Sequence, residues 1–255
     1  MIKGTKFLLT KLIILTFLIP FSVSAETPVG STIESRATLA FKVNDQAAQA
    51  MLPEGWKLLT LPKGPLAGAN LLVAFIDKYL ARDAQGKPLT PYSSRTVAIV
   101  NYGVKADVKG PRMFITRVFE TPPVVNPYGN SVAASISRSA SLDGPADGEK
   151  THKEKWSVKA KSGGEINLSL SYKPGKPRWK SSKATPYSTV NPDFYRIYKY
   201  EQLADLAMSK AIGRDLNGVV SFQSTIPELV GVFDKNEKLV GVIAIPVYVR
   251  EISLP

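Results

Sequence analysis

Every second residue of Ile166-Asn167-Leu168-Ser169-Leu170-Ser171-Tyr172 is apolar, and no other property of the chain constrains its fold as tightly. A period of two puts the apolar side chains on one face of a strand and the polar ones on the other. Similar stretches, separated by Gly, Pro, Asn and Asp, recur along the sequence. Strands are expected at 70–76, 96–104, 113–119, 131–141, 156–160, 165–172, 219–226 and 239–252. In Val132-Ala133-Ala134-Ser135-Ile136-Ser137-Arg138 the residues are mostly small, which permits close packing or leaves room for a ligand.

Two segments have helical spacing. Asn44 or Asp45 can cap a helix over 46–51 that stops at Leu52-Pro53-Glu54-Gly55. A second is expected over 200–212, where Leu203, Leu206, Ala207 and Ile212 approximate one apolar face and Gly213 closes it. Residues 143–155 read as a polar loop, and 173–183 as a basic loop containing Pro174, Pro177 and Trp179. The fold class expected is mostly β (α+β), a barrel-like antiparallel sheet with two covering helices.

The first 25 residues carry Lys3, Lys6 and Lys11, then the apolar run Leu12-Ile13-Ile14-Leu15-Thr16-Phe17-Leu18-Ile19, then Val23-Ser24-Ala25. This is the pattern of a cleavable signal peptide cut between Ala25 and Glu26. The run is shorter than the roughly 20 residues that span a bilayer. Residues 26–255 are then expected as a single domain in a periplasm or secreted. There is no cysteine, which excludes disulfides, thiol catalysis and cysteine metal sites. The chain has 33 basic and 21 acidic residues, and taking away Lys3, Lys6 and Lys11 still leaves nine more basic than acidic. Such a surface suits anionic partners, including peripheral contact with an anionic envelope surface. Export and the absence of a recognition motif argue against nucleic acid. His152 is the sole histidine and sits among Lys150, Lys153, Glu154 and Lys155, so it is read as solvated loop; neither a metal site nor a Ser-His-Asp triad is expected. Gly64-Pro65-Leu66-Ala67-Gly68-Ala69 lacks the Gly-Lys-Ser/Thr ending of a phosphate loop, and no cofactor is expected.

The order of elements resembles the acetoacetate decarboxylase-like family over roughly residues 45–200. The short helix, the turn Leu52-Pro53-Glu54-Gly55 and the strand Gly68-Ala69-Asn70-Leu71-Leu72-Val73-Ala74-Phe75 carry the resemblance, with Thr96–Val104, the strand ending Phe119-Glu120-Thr121-Pro122-Pro123, and Asn191-Pro192-Asp193-Phe194-Tyr195-Arg196-Ile197. The resemblance implies that fold and a pocket near Arg95, Arg117, Glu120, Asn126, Tyr128, Asn130 and Arg138 for a small anionic or keto ligand. The family's decarboxylases form a Schiff base on a lysine held unprotonated by a neighbouring cation and apolar surroundings. The stretch matching that lysine, 126–142, contains none, and Arg138 is a poor nucleophile. The family's catalytic glutamate is likewise missing around Pro91-Tyr92-Ser93-Ser94-Arg95. The expectation is therefore an exported binding protein for an organic or keto acid with no catalytic residue. The alternatives are a lyase or hydratase of altered chemistry on the same scaffold, or a basic envelope interaction protein. The three differ in whether a lysine adduct can be trapped and in whether anionic vesicles are bound.

Overall fold

A computed structural model describes residues 26–255. Residues 1–25, where a signal peptide is expected, lie outside the described residues. In chain order the elements are β1 (Thr27–Lys42), α1 (Asp45–Gln49), β2 (Lys57–Leu58), β3 (Leu71–Asp83), β4 (Ser94–Val104), β5 (Arg112–Glu120), β6 (Ser131–Asp143), β7 (Thr151–Ala160), β8 (Glu165–Tyr172), β9 (Arg178–Ala184), β10 (Pro186–Ser188), β11 (Ile197–Ser209), β12 (Gly218–Ser224) and β13 (Lys238–Leu254).

The ladder runs β12-β8-β7-β6-β5-β4-β3-β1-β13-β11-β9, with β2 beside β4 and β10 beside β5. It is open, ending at β12 and β9, and it is mixed rather than antiparallel. β6 crosses to pair parallel with the end of β5 (Val118↔Ser131), and β10 runs parallel to its start (Pro186↔Met113). The expected barrel-like antiparallel sheet is corrected on both counts: it is not closed, and two of its pairings are parallel.

Sequence accounts for the first helix. Asn44 accepts the backbone N–H of Gln46 and Ala47 at 2.9 and 3.1 Å, the N-cap arrangement. The second helix does not exist. Residues 197–209 form β11, hydrogen-bonded between β13 and β9, followed by a single 3₁₀ turn at Lys210–Ile212. Two register shifts, at Leu203/Asp205 and Leu206/Met208, interrupt its alternation. The first places its extra residue on β13 and the second places one on β11, where it turns a period of two locally into three and imitates helical spacing. The polar loop shrinks to residues 144–150, because β6 continues to Asp143 and β7 begins at Thr151. His152 accordingly stands on β7, its ring 5.3 Å from that of Tyr172. The basic loop yields the edge strand β9, exposed along nearly its whole length. Lysines and arginine there discourage edge-to-edge pairing.

The central strands bury both faces. On β3, Leu71, Val73 and Phe75 point to one side, and on β4 Val97 and Ile99 join them. They pack with Leu39 on Trp156, Val158, Leu168 and Leu170 of the β6-β7-β8-β12 portion, Phe75 meeting Trp156 at 5.4 Å between ring centroids. The opposite side of β1, β3, β4, β5, β11 and β13 surrounds a hollow.

Candidate functional site

The hollow is a cavity of about 500 Å³, within the roughly 300–1,000 Å³ of small-molecule sites. Its wall can be read directly from the strand register. One row contains Thr38, Ala74, Ala98 and Val118; the next, toward the start of β3, contains Leu72, Val100 and Ile115. In the other direction come Arg36, Ile76, Thr96 and Glu120, then Glu34, Lys78 and Ser94. The wall thus passes from aliphatic to charged within two strand steps.

Glu34, with no exposed surface, organises the charged end. Its Oε1 accepts Arg250 Nη2 at 2.7 Å and Thr32 Oγ1 at 2.5 Å, and its Oε2 accepts Arg36 Nε at 2.8 Å. Burial pushes the carboxyl pKa up, but Arg250, Arg36 and the Thr32 hydroxyl more than offset this and hold it at about 2. Arg36 lies 3.5 Å over the Tyr248 ring and Arg250 4.3 Å over the Tyr198 ring. The Tyr198 hydroxyl is bonded to that of Tyr128. Burial pushes Tyr248 up to about 12, against the pull of Arg36 and Arg250. Two arginines, one carboxylate and three tyrosines are therefore occupied largely with one another.

Lys78 is different. It stands directly across from Glu34 in the β1–β3 ladder and lines the cavity, yet its amine makes no hydrogen bond and no ion pair within 4 Å among the described residues. Burial lowers its pKa; Glu34 opposes this, Arg250 reinforces it, Glu120 opposes it and Arg36 reinforces it. Glu120 faces the same space, 5% exposed, and accepts the Asn126 backbone N–H at 3.1 Å with no cationic partner among the described residues. Arg196 also lines the cavity, and its buried Nε–H has no partner among the described residues. No cluster of potential metal ligands occurs among the described residues.

Of the site residues expected from sequence, Glu120 and Tyr128 line the cavity. Arg95 and Arg138 do not. They converge on Asp77 at 3.2 and 3.0 Å, on the opposite face of β3. Arg138 also bonds Glu154 at 2.7 Å, which in turn accepts from Trp156 and meets His152 at 3.2 Å. Arg117 pairs with Glu228 at 2.9 Å. Asn126, at positive φ, shapes the turn after β5, accepting the Ser131 N–H. Asn130 is buried and donates to the Ile115 carbonyl. Sequence reasoning missed Lys78, Glu34, Arg36, Tyr198, Tyr248 and Arg250. The signal was present in the parity Leu72, Ala74, Ile76, Lys78, which continues two residues past the expected end of that strand. β1, carrying Glu34 and Arg36, was not anticipated.

No family description matches the sequence, and no curated protein does. Solved structures do match. The enduracididine biosynthesis enzyme MppR complexed with pyruvate is 11% identical with a TM-score of 0.54, covering 92% of this chain and 91% of that one. An acetoacetate decarboxylase-like enzyme from Sphingomonas wittichii RW1 is 10% identical with a TM-score of 0.55, covering 93% and 96%. At such identities the likeness concerns architecture, and the chain has the acetoacetate decarboxylase-like fold.

Proposed function

We propose that this chain binds a small carbonyl compound of the keto acid class in the cavity and captures it as an imine on Lys78. The carrying observation is the Lys78 amine itself, held in the wall without a hydrogen-bond partner among the described residues while the nearby cations are spent on Glu34. The absence of a lysine in 126–142 does not weigh against capture, because the amine here comes from β3. An amine of lowered pKa is unprotonated for a larger fraction of the time and so nucleophilic.

The step balances simply. The amine nitrogen attacks the carbonyl carbon, the oxygen leaves as water, and the carbon–nitrogen double bond takes its place. Protonation makes it an iminium, which withdraws electrons from the adjacent carbon. Loss of carbon dioxide or of a proton from that carbon is then lyase chemistry. Glu120, the cavity carboxylate without a cationic partner among the described residues, is positioned to carry the protons. MppR has been described with pyruvate and with the condensation product of pyruvate and imidazole 4-carboxaldehyde; those carbonyl ligands of that protein support the ligand class proposed here. That the chain works outside the cytoplasm belongs to the same proposal and rests on the leader pattern of residues 1–25.

Borohydride reduction with pyruvate or acetoacetate, read by intact mass, tests the reading. The wild-type chain and Lys159→Met should gain one reduced adduct, and Lys78→Met none. No adduct in the wild-type chain, alongside thermal stabilisation by the same acids, would instead establish a non-covalent binding protein.

A further inference from the structure

Resting on the reading of Lys78 as the carbonyl-capturing group, we infer that the cavity takes an oxo acid with an extended apolar chain, laid along the Ala74–Ala98 hollow, rather than a four-carbon acid. From Lys78 the lining side chains of β3 continue as Ile76, Ala74 and Leu72. At about 3.3 Å per residue the six residue steps from Lys78 to Leu72 extend roughly 20 Å beyond the amine's own strand position. Ala74 and Ala98 are direct cross-strand partners, flanked by larger aliphatics on both sides: Ile76 on one, Leu72 and Val100 on the other. Two adjacent methyl side chains within a row of branched ones leave a furrow where the wall would otherwise be filled.

Thr38 is the polar member of the Ala74–Ala98 row, and Thr96 Oγ1, one row toward the charged end, has no hydrogen-bond partner among the described residues; the other side chains of the furrow are aliphatic. Ala98, Val100, Ile115 and Val118 form one apolar cluster, and the charged groups lie a row or more away at Arg36, Glu120 and Lys78. A four-carbon acid seated at Lys78 would occupy the charged end and leave the aliphatic rows uncovered. An alkyl chain covers them, and each methylene buried strengthens binding about fourfold.

The test uses the full chain and β-oxo acids of four, eight and twelve carbons, with saturated fatty acids of matching length as ligands that cannot form an imine. Half-saturating concentrations for borohydride trapping and for thermal stabilisation are read separately. The eight- and twelve-carbon oxo acids should act at concentrations at least tenfold below the four-carbon acid. Ala98→Leu should remove that advantage while still trapping the four-carbon acid. Ala74→Val, a smaller intrusion into the same furrow, should reduce the advantage if Ala98→Leu does not fold. Equal trapping at all lengths would overturn the chain inference and leave the Lys78 chemistry standing. Chain-length-dependent stabilisation by the saturated acids, equal in wild type and Lys78→Met and with no adduct from any oxo acid, would do the reverse. Undiminished preference for the long acids in both furrow variants would also overturn the inference.

Discussion

Glu34 is fully buried and charged, and that charge is maintained by its partners rather than by water. Removing one side of such an arrangement strands the other. Glu34→Gln leaves Arg250 and Arg36 facing a neutral amide inside the wall, and should cost on the order of 3 kcal/mol near neutral pH in a denaturant titration. The pH dependence has a definite sign. The folded-state pKa of about 2 lies below the ordinary 4.5, so Glu34 contributes its full stabilisation above about 4.5 and loses it as pH falls toward about 2. The stability gap between wild type and Glu34→Gln should therefore narrow over that acidic range. Lys78→Met removes an amine that no hydrogen bond anchors among the described residues, so it should keep or raise the thermal midpoint while abolishing trapping. Neither residue was legible beforehand as part of a site. A lysine or glutamate in a strand is ordinarily a solvated side chain, and only the curl of the sheet around the hollow makes these interior.

β3 shows how one strand carries two functions. Its odd positions from Leu71 build the core against Trp156, and its even positions from Leu72 line the cavity. Neighbouring Asp77 and Lys78 thus serve different environments, Asp77 receiving Arg95 and Arg138 while Lys78 faces the cavity. Alternation within β8 was readable because its pairing with β7 and β12 is regular, and β4 was readable because its apolar run continues through the register shift at Ile99/Val100 against β5. β11 was not, since its register shifts erase the period on which the reading depends. Turns are equally demanding. Gly164 sits at φ +75° between β7 and β8, and a Cβ there would lie 2.4 Å from the Thr225 carbonyl oxygen and 2.7 Å from Ile226 Cα. Gly164→Ala should destabilise by about 2 kcal/mol or more, measured by equilibrium unfolding, by pushing the end of β12 off the hairpin.

At the scale of the molecule, a single open ladder serves as floor of a core on one side and wall of a cavity on the other. The mostly β character and most strand positions followed from periodicity and turn residues, which report local pairing; the openness and mixed pairing of the sheet did not. The site did not, because it joins β1, β3, β5, β11 and β13, elements far apart in sequence that only the ladder order brings together. The proposed carbonyl capture depends on burial keeping the Lys78 amine less protonated than an ordinary lysine while its charged neighbours neutralise one another. The direct measurement is a side-chain NMR titration of the ligand-free chain with lysines labelled at Cε, assigned through Lys78→Met. One resonance, absent in that variant, should titrate below the ordinary lysine value of 10.5. If the Lys78 resonance instead titrates at or above that ordinary value, the amine is an ordinary surface-like cation and carbonyl capture at this cavity is contradicted.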